Sequence, residues 1–141
     1  MKYLDTSLIV SALSTESATQ SVQIWLTSQD PSTLLISQWT VTEVSSALAL
    51  KLRTKAITLD DRARALTIFR QVAFESFVLI NVSSEHFRIA ARFSDHYELG
   101  LRASDALHLA VASEYGATIY TLDRRLAEAG PPLGVSTRLL L

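Results

Sequence analysis

Cysteine is absent from the 141-residue sequence, which excludes disulfide cross-links and any thiolate metal centre. An ion held by this chain would have to take oxygen or imidazole donors. Glycine and proline are scarce, with four and three copies, and no repeat, linker or low-complexity segment interrupts the chain. No long hydrophobic run is present. The opening stretch, MKYLDTSLIVSAL, contains Lys2 and Asp5 and is too short and too interrupted for a secretory signal or a membrane span. The expectation is a protein of the cytoplasm with no membrane partner. An excess of either charge is also lacking, since 13 basic residues face 14 acidic ones. That speaks against a dedicated nucleic-acid scaffold, which is usually basic, and suits an enzyme whose acids gather at one site with arginines around it. Only Lys2, Lys51 and Lys55 are lysines. The remaining cations are arginines, which suit bidentate phosphate contacts but serve ordinary surfaces as well.

Apolar side chains are abundant, at 48% of the total, enough for one domain over residues 1–141 with a real core. KYLD (2–5) reads as a short strand. Helical potential follows in SLIVSAL and continues over 16–29, where Val22, Trp25 and Leu26 form one apolar stripe, until Asp30-Pro31 stops it. TLLIS (33–37) is a buried-strand candidate. A helix from Thr40 to about Arg53 carries Val41, Val44, Leu48 and Leu52 on one face, and a longer amphipathic helix occupies 58–77. FVLINV (77–82) reads as a strand and 84–100 as a helix ending at Gly100. The stretch opening at Leu101 reads as a helix closed by Gly116. ATIYTL (117–122) is a strand, DRRLAEAG a short helix, and GVSTRLL, after Pro131-Pro132, an edge strand. Strands alternate with helices, so the fold class is α/β, a three-layer α/β/α sandwich around a mostly parallel sheet. The main strands are short and apolar, as required when both sheet faces are covered.

In such folds ligands bind at the carboxyl ends of the strands, where the crossover helices also begin. Four acids are predicted at that edge. Asp5 ends the first strand, and Asp123 follows ATIYT by one residue. Glu43 lies in the first turn of the helix after TLLIS, and Asp105 in the first turn of LRASDALHLAVA. Each has a duller role open to it: Asp5, Asp105 and Asp123 as helix N-caps, and Glu43 as the partner of Thr40 in a Thr-x-x-Glu capping box. Their convergence argues for a site. Acids such as Asp60 and Asp61 open a charged, solvated helix, whereas these four adjoin strand ends or apolar runs. Gathered carboxylates repel, by about 4 kcal/mol per pair at roughly 4 Å and an effective dielectric of about 20. Either some are protonated or a cation sits among them. Oxygen donors suit a hard ion, Mg²⁺ or Mn²⁺, which activates bound water and neutralises charge on a phosphoryl oxygen. The residues therefore point to metal-assisted hydrolysis of a phosphoester.

LDTSLIVSAL at the start, TEVSSAL around Glu43, LRASDALHLAVA and IYTLDRRL together resemble the four conserved blocks of PIN-domain ribonucleases. The match is closest to the VapC-type toxins of prokaryotic toxin–antitoxin pairs and runs from Lys2 to about Leu126. This resemblance implies a PIN-like sandwich and Mg²⁺- or Mn²⁺-dependent endonucleolytic cleavage of RNA. The family's acidic positions fall on Asp5, Glu43, Asp105 and Asp123, and none of the four is replaced. By the same resemblance Asp5 and Asp105 are the principal direct metal ligands. Glu43 and Asp123 bind metal through water or a second ion, or position the attacking water. Family hydroxyl positions fall on Thr6 or Ser7 and on Thr121, as supporting or phosphate-contacting groups. The resemblance further implies a homodimer and a small cognate antitoxin, which often covers the acidic site and can place an arginine in it.

Arg102, three residues before Asp105, could hold a substrate phosphate or pair with an acid of the site, the plainer role being a solvated loop arginine. His108, one turn after Asp105 between Leu107 and Leu109, reads as a packed neutral residue. His86 and His96 read as surface residues, and Trp25 as core or interface. A receiver-type signalling domain would need a lysine after a late strand. A haloacid-dehalogenase-type phosphatase would need an acid where Ser7 stands. Two alternatives stay open: a PIN-like RNA-processing nuclease outside toxin–antitoxin pairing, and a non-catalytic interaction module whose acids serve as caps or as a seat for a partner's arginine.

Overall fold

The computed structural model describes residues 1–141. Its frame is a five-stranded sheet: β1 (Lys2–Leu4), β2 (Leu34–Ser37), β3 (Val78–Ile80), β4 (Thr118–Thr121) and β5 (Thr137–Leu139), in the order β3-β2-β1-β4-β5. Every neighbouring pair is parallel. Parallel neighbours require crossovers, and seven helices supply them: α1 (Thr6–Leu13), α2 (Thr19–Thr27), α3 (Gln38–Arg53), α4 (Leu59–Glu75), α5 (Ser84–Ser94), α6 (Ala103–Glu114) and α7 (Arg124–Ala129). The expected edge strand is β5, outermost beside β4. No helix is long and apolar enough to cross a membrane.

Successive strand residues point to opposite faces, and the two faces have separate cores. Leu4, Leu34 and Ile36 pack with Leu8 and Ile9 of α1, Val22 of α2, Val44 and Leu48 of α3, and Phe69 of α4. Tyr3, Leu35 and Ile119 pack with Leu109 and Val111 of α6 and Leu126 of α7. Helix α5 lies over α6 through Ala90, Ala106, Leu107 and Ala110. With neighbours on both sides, α6 is buried from Asp105 to Ala112. This explains why LRASDALHLAVA reads as apolar almost all round.

Several element ends differ from the sequence expectation, and side-chain hydroxyls account for them. The predicted helix over 16–29 is α2 alone, separated from α1. Thr19 Oγ1 donates to the carbonyls of Ser11 and Ser14 at 2.7 and 3.1 Å and ties off the end of α1. Helix α3 starts at Gln38, two residues earlier than expected, because Ser37 is its N-cap and forms the capping box with Thr40. Glu43 therefore sits in the second turn and takes no part in capping. The helix expected over 84–100 stops at Ser94. A single 3₁₀ turn, Tyr97–Leu99, follows, and Gly100, at φ +62°, closes that turn.

The central strand is β1. From it the chain winds outward through β2 and β3, then returns to the other side of β1 for β4 and β5. That reversal leaves a crevice between the carboxyl ends of β1 and β4, the place where such sheets bind ligands.

Candidate active site

Asp5 is the residue after β1, and its backbone N–H donates to the Tyr120 carbonyl at 3.1 Å, joining the ends of β1 and β4. It is the N-cap of α1, as the plainer reading expected. Its Oδ2 accepts from the Ser7 hydroxyl at 2.6 Å, the Thr121 hydroxyl at 2.8 Å and the Ser7 N–H at 3.4 Å. These hydroxyls are held in turn: Ser7 Oγ accepts from the Leu122 N–H at 3.1 Å, and Thr121 Oγ1 from the Asp123 N–H at 2.9 Å. All of this falls on one carboxylate oxygen. The other, Oδ1, accepts no protein hydrogen bond and faces His108 Nε2 at 3.7 Å. Capping and a site role are thus compatible in one residue.

Glu43 Oε1 accepts from Thr6 Oγ1 at 2.6 Å and makes a short hydrogen bond with His108 Nε2. On its far side, His108 Nδ1 bonds the Tyr3 hydroxyl at 2.6 Å, which meets Ser37 Oγ at 2.9 Å. A line of polar groups thus runs from the cap of α3 to the carboxylate of Glu43. His108 is 1% exposed. Burial works to strip its proton, but the surrounding oxygens of Tyr3, Glu43 and Asp5 outweigh it and raise its pKa to about 10. Burial likewise disfavours a charged Glu43, and the hydrogen bonds from His108 and Thr6, with the charges of His108 and Arg102, overcome it. The carboxyl is held below its ordinary range. The pair is ionic, with imidazolium N–H groups donating to Glu43 and to the Tyr3 oxygen.

Asp105 is the third residue of α6 and does not cap it; the N-cap is Arg102, whose side chain makes no capping bond. Instead, Arg102 Nε donates to Asp105 Oδ2 at 3.2 Å and Nη2 to Asp123 Oδ2 at 2.8 Å. Asp123 uses its other oxygen to cap α7 through the N–H groups of Arg125 and Leu126. Burial raises the pKa of Asp105. Arg102 opposes this, and the charges of Asp5 and Asp123 add to it. The guanidinium of Arg102 is in turn stabilised in its charged form, chiefly by Asp105.

The four predicted acids therefore meet at the β1/β4 crevice in two linked pairs. Asp5 and Glu43 share His108, and Asp105 and Asp123 share Arg102. Thr6, Ser7 and Thr121 all bond to members of this set. With Arg102 drawn in, no three acidic or histidine side chains converge as ligands of a single ion. The donor chemistry nevertheless fits a hard divalent cation: Asp5 Oδ1, Asp105 Oδ1 and Glu43 Oε2 accept no protein hydrogen bond, and Mg²⁺ commonly takes one or two carboxylates and keeps its waters.

Sequence reasoning treated His108 as a neutral packing residue and did not single out Tyr3. Two signals were available. His108 lies one helical turn from Asp105, on the same face, and Tyr3 lies two residues before Asp5. His86, read as a surface residue, is 2% exposed. Its Nδ1 accepts the Ser83 N–H at 3.0 Å, and its Nε2 bonds Glu114 from α6, so it closes the α5 cap and clips two helices together. His96 is exposed. Trp25 packs on Tyr120, with ring centroids 4.9 Å apart.

The model of the PIN-domain family matches residues 2–130. Among curated proteins, none is significantly similar in sequence. Solved structures share the fold. The FitAcB structure from Neisseria gonorrhoeae superposes with a TM-score of 0.76 at 20% identity, over 97% of this chain and 96% of that one. The toxin VapC20 from Mycobacterium tuberculosis, which is described as cleaving the sarcin-ricin loop, gives 0.74 at 18% identity, over 92% and 95%. A toxin–antitoxin complex from Klebsiella pneumoniae gives 0.69 at 17% identity, over 100% and 98%.

Proposed function

Since this chain belongs to the PIN-domain family, we propose that it is a Mg²⁺- or Mn²⁺-dependent endoribonuclease acting as the toxin of a toxin–antitoxin pair. The observation that carries the reading is the gathering of Asp5, Glu43, Asp105 and Asp123 at the β1/β4 crevice, with oxygens of three of them left free of protein donors. Asp5 and Asp105 would hold the ion directly; Glu43 and Asp123 would reach it through water or a second ion. Bound there, the ion would activate water and neutralise charge on the phosphodiester.

The chain's own residues do the rest. Glu43, kept ionised by His108 and Thr6, would orient the attacking water. Ser7 and Thr121 hold the Asp5 carboxylate in one orientation, so that its free oxygen points away from their hydroxyls. Arg102 is placed at the mouth to meet a phosphate. In this reading, residues 1–141 form one nuclease domain that works in the cytoplasm as a homodimer, held inactive by a small antitoxin. The toxin and toxin–antitoxin structures that share its fold support the antitoxin partner.

The deciding experiment incubates the purified protein with total RNA, with and without Mg²⁺ or Mn²⁺, and maps new 5′ ends. Discrete ends that need the metal are expected, and Asp5→Asn and Asp105→Asn should abolish them. Cleavage by either variant at the wild-type rate with Mn²⁺ present would overturn the site assignment. A protein with no carboxylate-dependent metal binding would be an interaction module instead.

A further inference from the structure

Two cations lie among the acids of the crevice, and their surroundings differ. His108 is enclosed at 1% exposure and bonded on both ring nitrogens, to Tyr3 and to Glu43. It has no route out. Arg102 lies on top, its side chain 64% exposed, spanning Asp105, at 8%, and Asp123, at 27%. Those two carboxylates are the only hydrogen-bond partners of its guanidinium. Its side chain makes no capping bond to α6 and fills no core. Its departure would uncover no apolar surface and would leave no buried donor unpaired. What it would leave behind is Asp105, a nearly buried carboxylate that needs a positive charge beside it.

We propose that Arg102 is a tethered, displaceable counter-ion that competes with the divalent cation for Asp105 and Asp123. This inference rests on the metal-dependent reading of the site given above. A guanidinium donating to both acids repels a metal ion bound to either, whichever carboxylate oxygen the ion uses, so each weakens the binding of the other. In the metal-free protein Arg102 offsets part of the charge of the pair. When a metal ion arrives, the guanidinium is released at the mouth, where a phosphodiester would approach. The apparent metal affinity is the intrinsic one multiplied by the fraction of molecules in which the arginine is unseated.

The test is calorimetric titration of Mn²⁺ into metal-stripped full-length protein at about pH 8, where the carboxylates are ionised. Wild type, Arg102→Gln and Arg102→Lys are compared. Arg102→Gln removes the charge and is expected to bind Mn²⁺ about tenfold more tightly, the equivalent of about 1.4 kcal/mol. Arg102→Lys keeps a charge but not the two-pronged fork, and should fall between the two. Metal-free Arg102→Gln should also melt at a lower temperature than wild type and gain more from saturating Mn²⁺. If wild type binds Mn²⁺ and Arg102→Gln binds no tighter, the inference is overturned and the metal reading survives. If neither binds, the metal reading fails and takes this inference with it. Should Arg102→Gln not fold without metal, Arg102→Lys must still bind more tightly than wild type.

Discussion

At the scale of single residues, the His108–Glu43 pair sets a pH dependence whose sign follows from its two shifts. The folded value of His108 lies near 10 against an ordinary 6.5. Its stabilising contribution is therefore fully present below about pH 6.5 and is lost as pH rises through about 10. Glu43 is shifted the other way. Its contribution is present above its ordinary value of 4.5 and is lost as pH falls through the lower folded value. Denaturant unfolding of wild type and His108→Gln between about pH 5 and pH 10 should show the largest stability difference at the acidic end, shrinking towards the basic end. A difference that stays flat across the range would mean a neutral imidazole. The acids themselves were legible in the sequence, because each adjoins a strand end or opens an apolar run. The pairing of His108 was not. Its partners Tyr3 and Glu43 lie 105 and 65 positions away, and a histidine flanked by leucines looks the same whether it is packed or charged.

At the scale of elements, hydroxyl caps decide where helices begin, and two of them separate stability from chemistry. Thr58 and Asp61 form the capping box of α4, with bonds of 3.0 and 3.1 Å, far from the acids. Thr58→Ala should cost about 1 kcal/mol of stability and leave metal binding and RNA cleavage unchanged. Ser37 caps α3 and also meets the Tyr3 hydroxyl. Ser37→Ala should cost a similar amount, about 1–2 kcal/mol, and should also lower activity, because it loosens the line that ends at Glu43. Chemical denaturation and a cleavage assay on both variants check this; equal loss of activity in the two would break the link. The strands and helices of this fold were readable from periodicity, but their ends were not. Thr40-x-x-Glu43 fits the capping pattern in the sequence, yet the box that forms joins Ser37 and Thr40. Only packing makes Ser37 the cap, since its hydroxyl also closes on Tyr3 from the neighbouring strand.

At the scale of the whole molecule, the two directions of winding meet at β1 and β4, and a few hydroxyls fasten them. Thr121 is fully buried. It donates to Asp5, accepts from the Asp123 backbone and lies 3.3 Å from Ser7 Oγ. Thr121→Val should cost about 1–3 kcal/mol, because it leaves the part-buried Asp123 N–H without a partner and takes a donor from Asp5. Ser7→Ala should also destabilise, and the double variant should depart from the sum of the two by more than about 0.5 kcal/mol. Additive losses would show that the fastening is not a shared unit. The parallel sandwich itself was legible from the alternation of strands and helices, and the clustering of the acids followed from it. Arg102 was open to pairing with Asp105 from its local spacing, but its bond to Asp123 and the place of His108 among the acids depended on chain reversal about β1, which no local pattern records.

The central place of β1 also has a consequence for synthesis. Strand β1 is made before both of its neighbours, β2 soon afterwards and β4 more than a hundred residues later. Until Thr118–Thr121 emerges, one flank of β1 stays open, and Asp5 has neither the hydroxyl of Thr121 nor the company of Asp105 and Asp123. The set of acids at the β1/β4 edge is therefore incomplete until Asp105 and Asp123 have been made. The same delay leaves an apolar strand waiting for its mate, a window in which a stalled or truncated product is prone to clump.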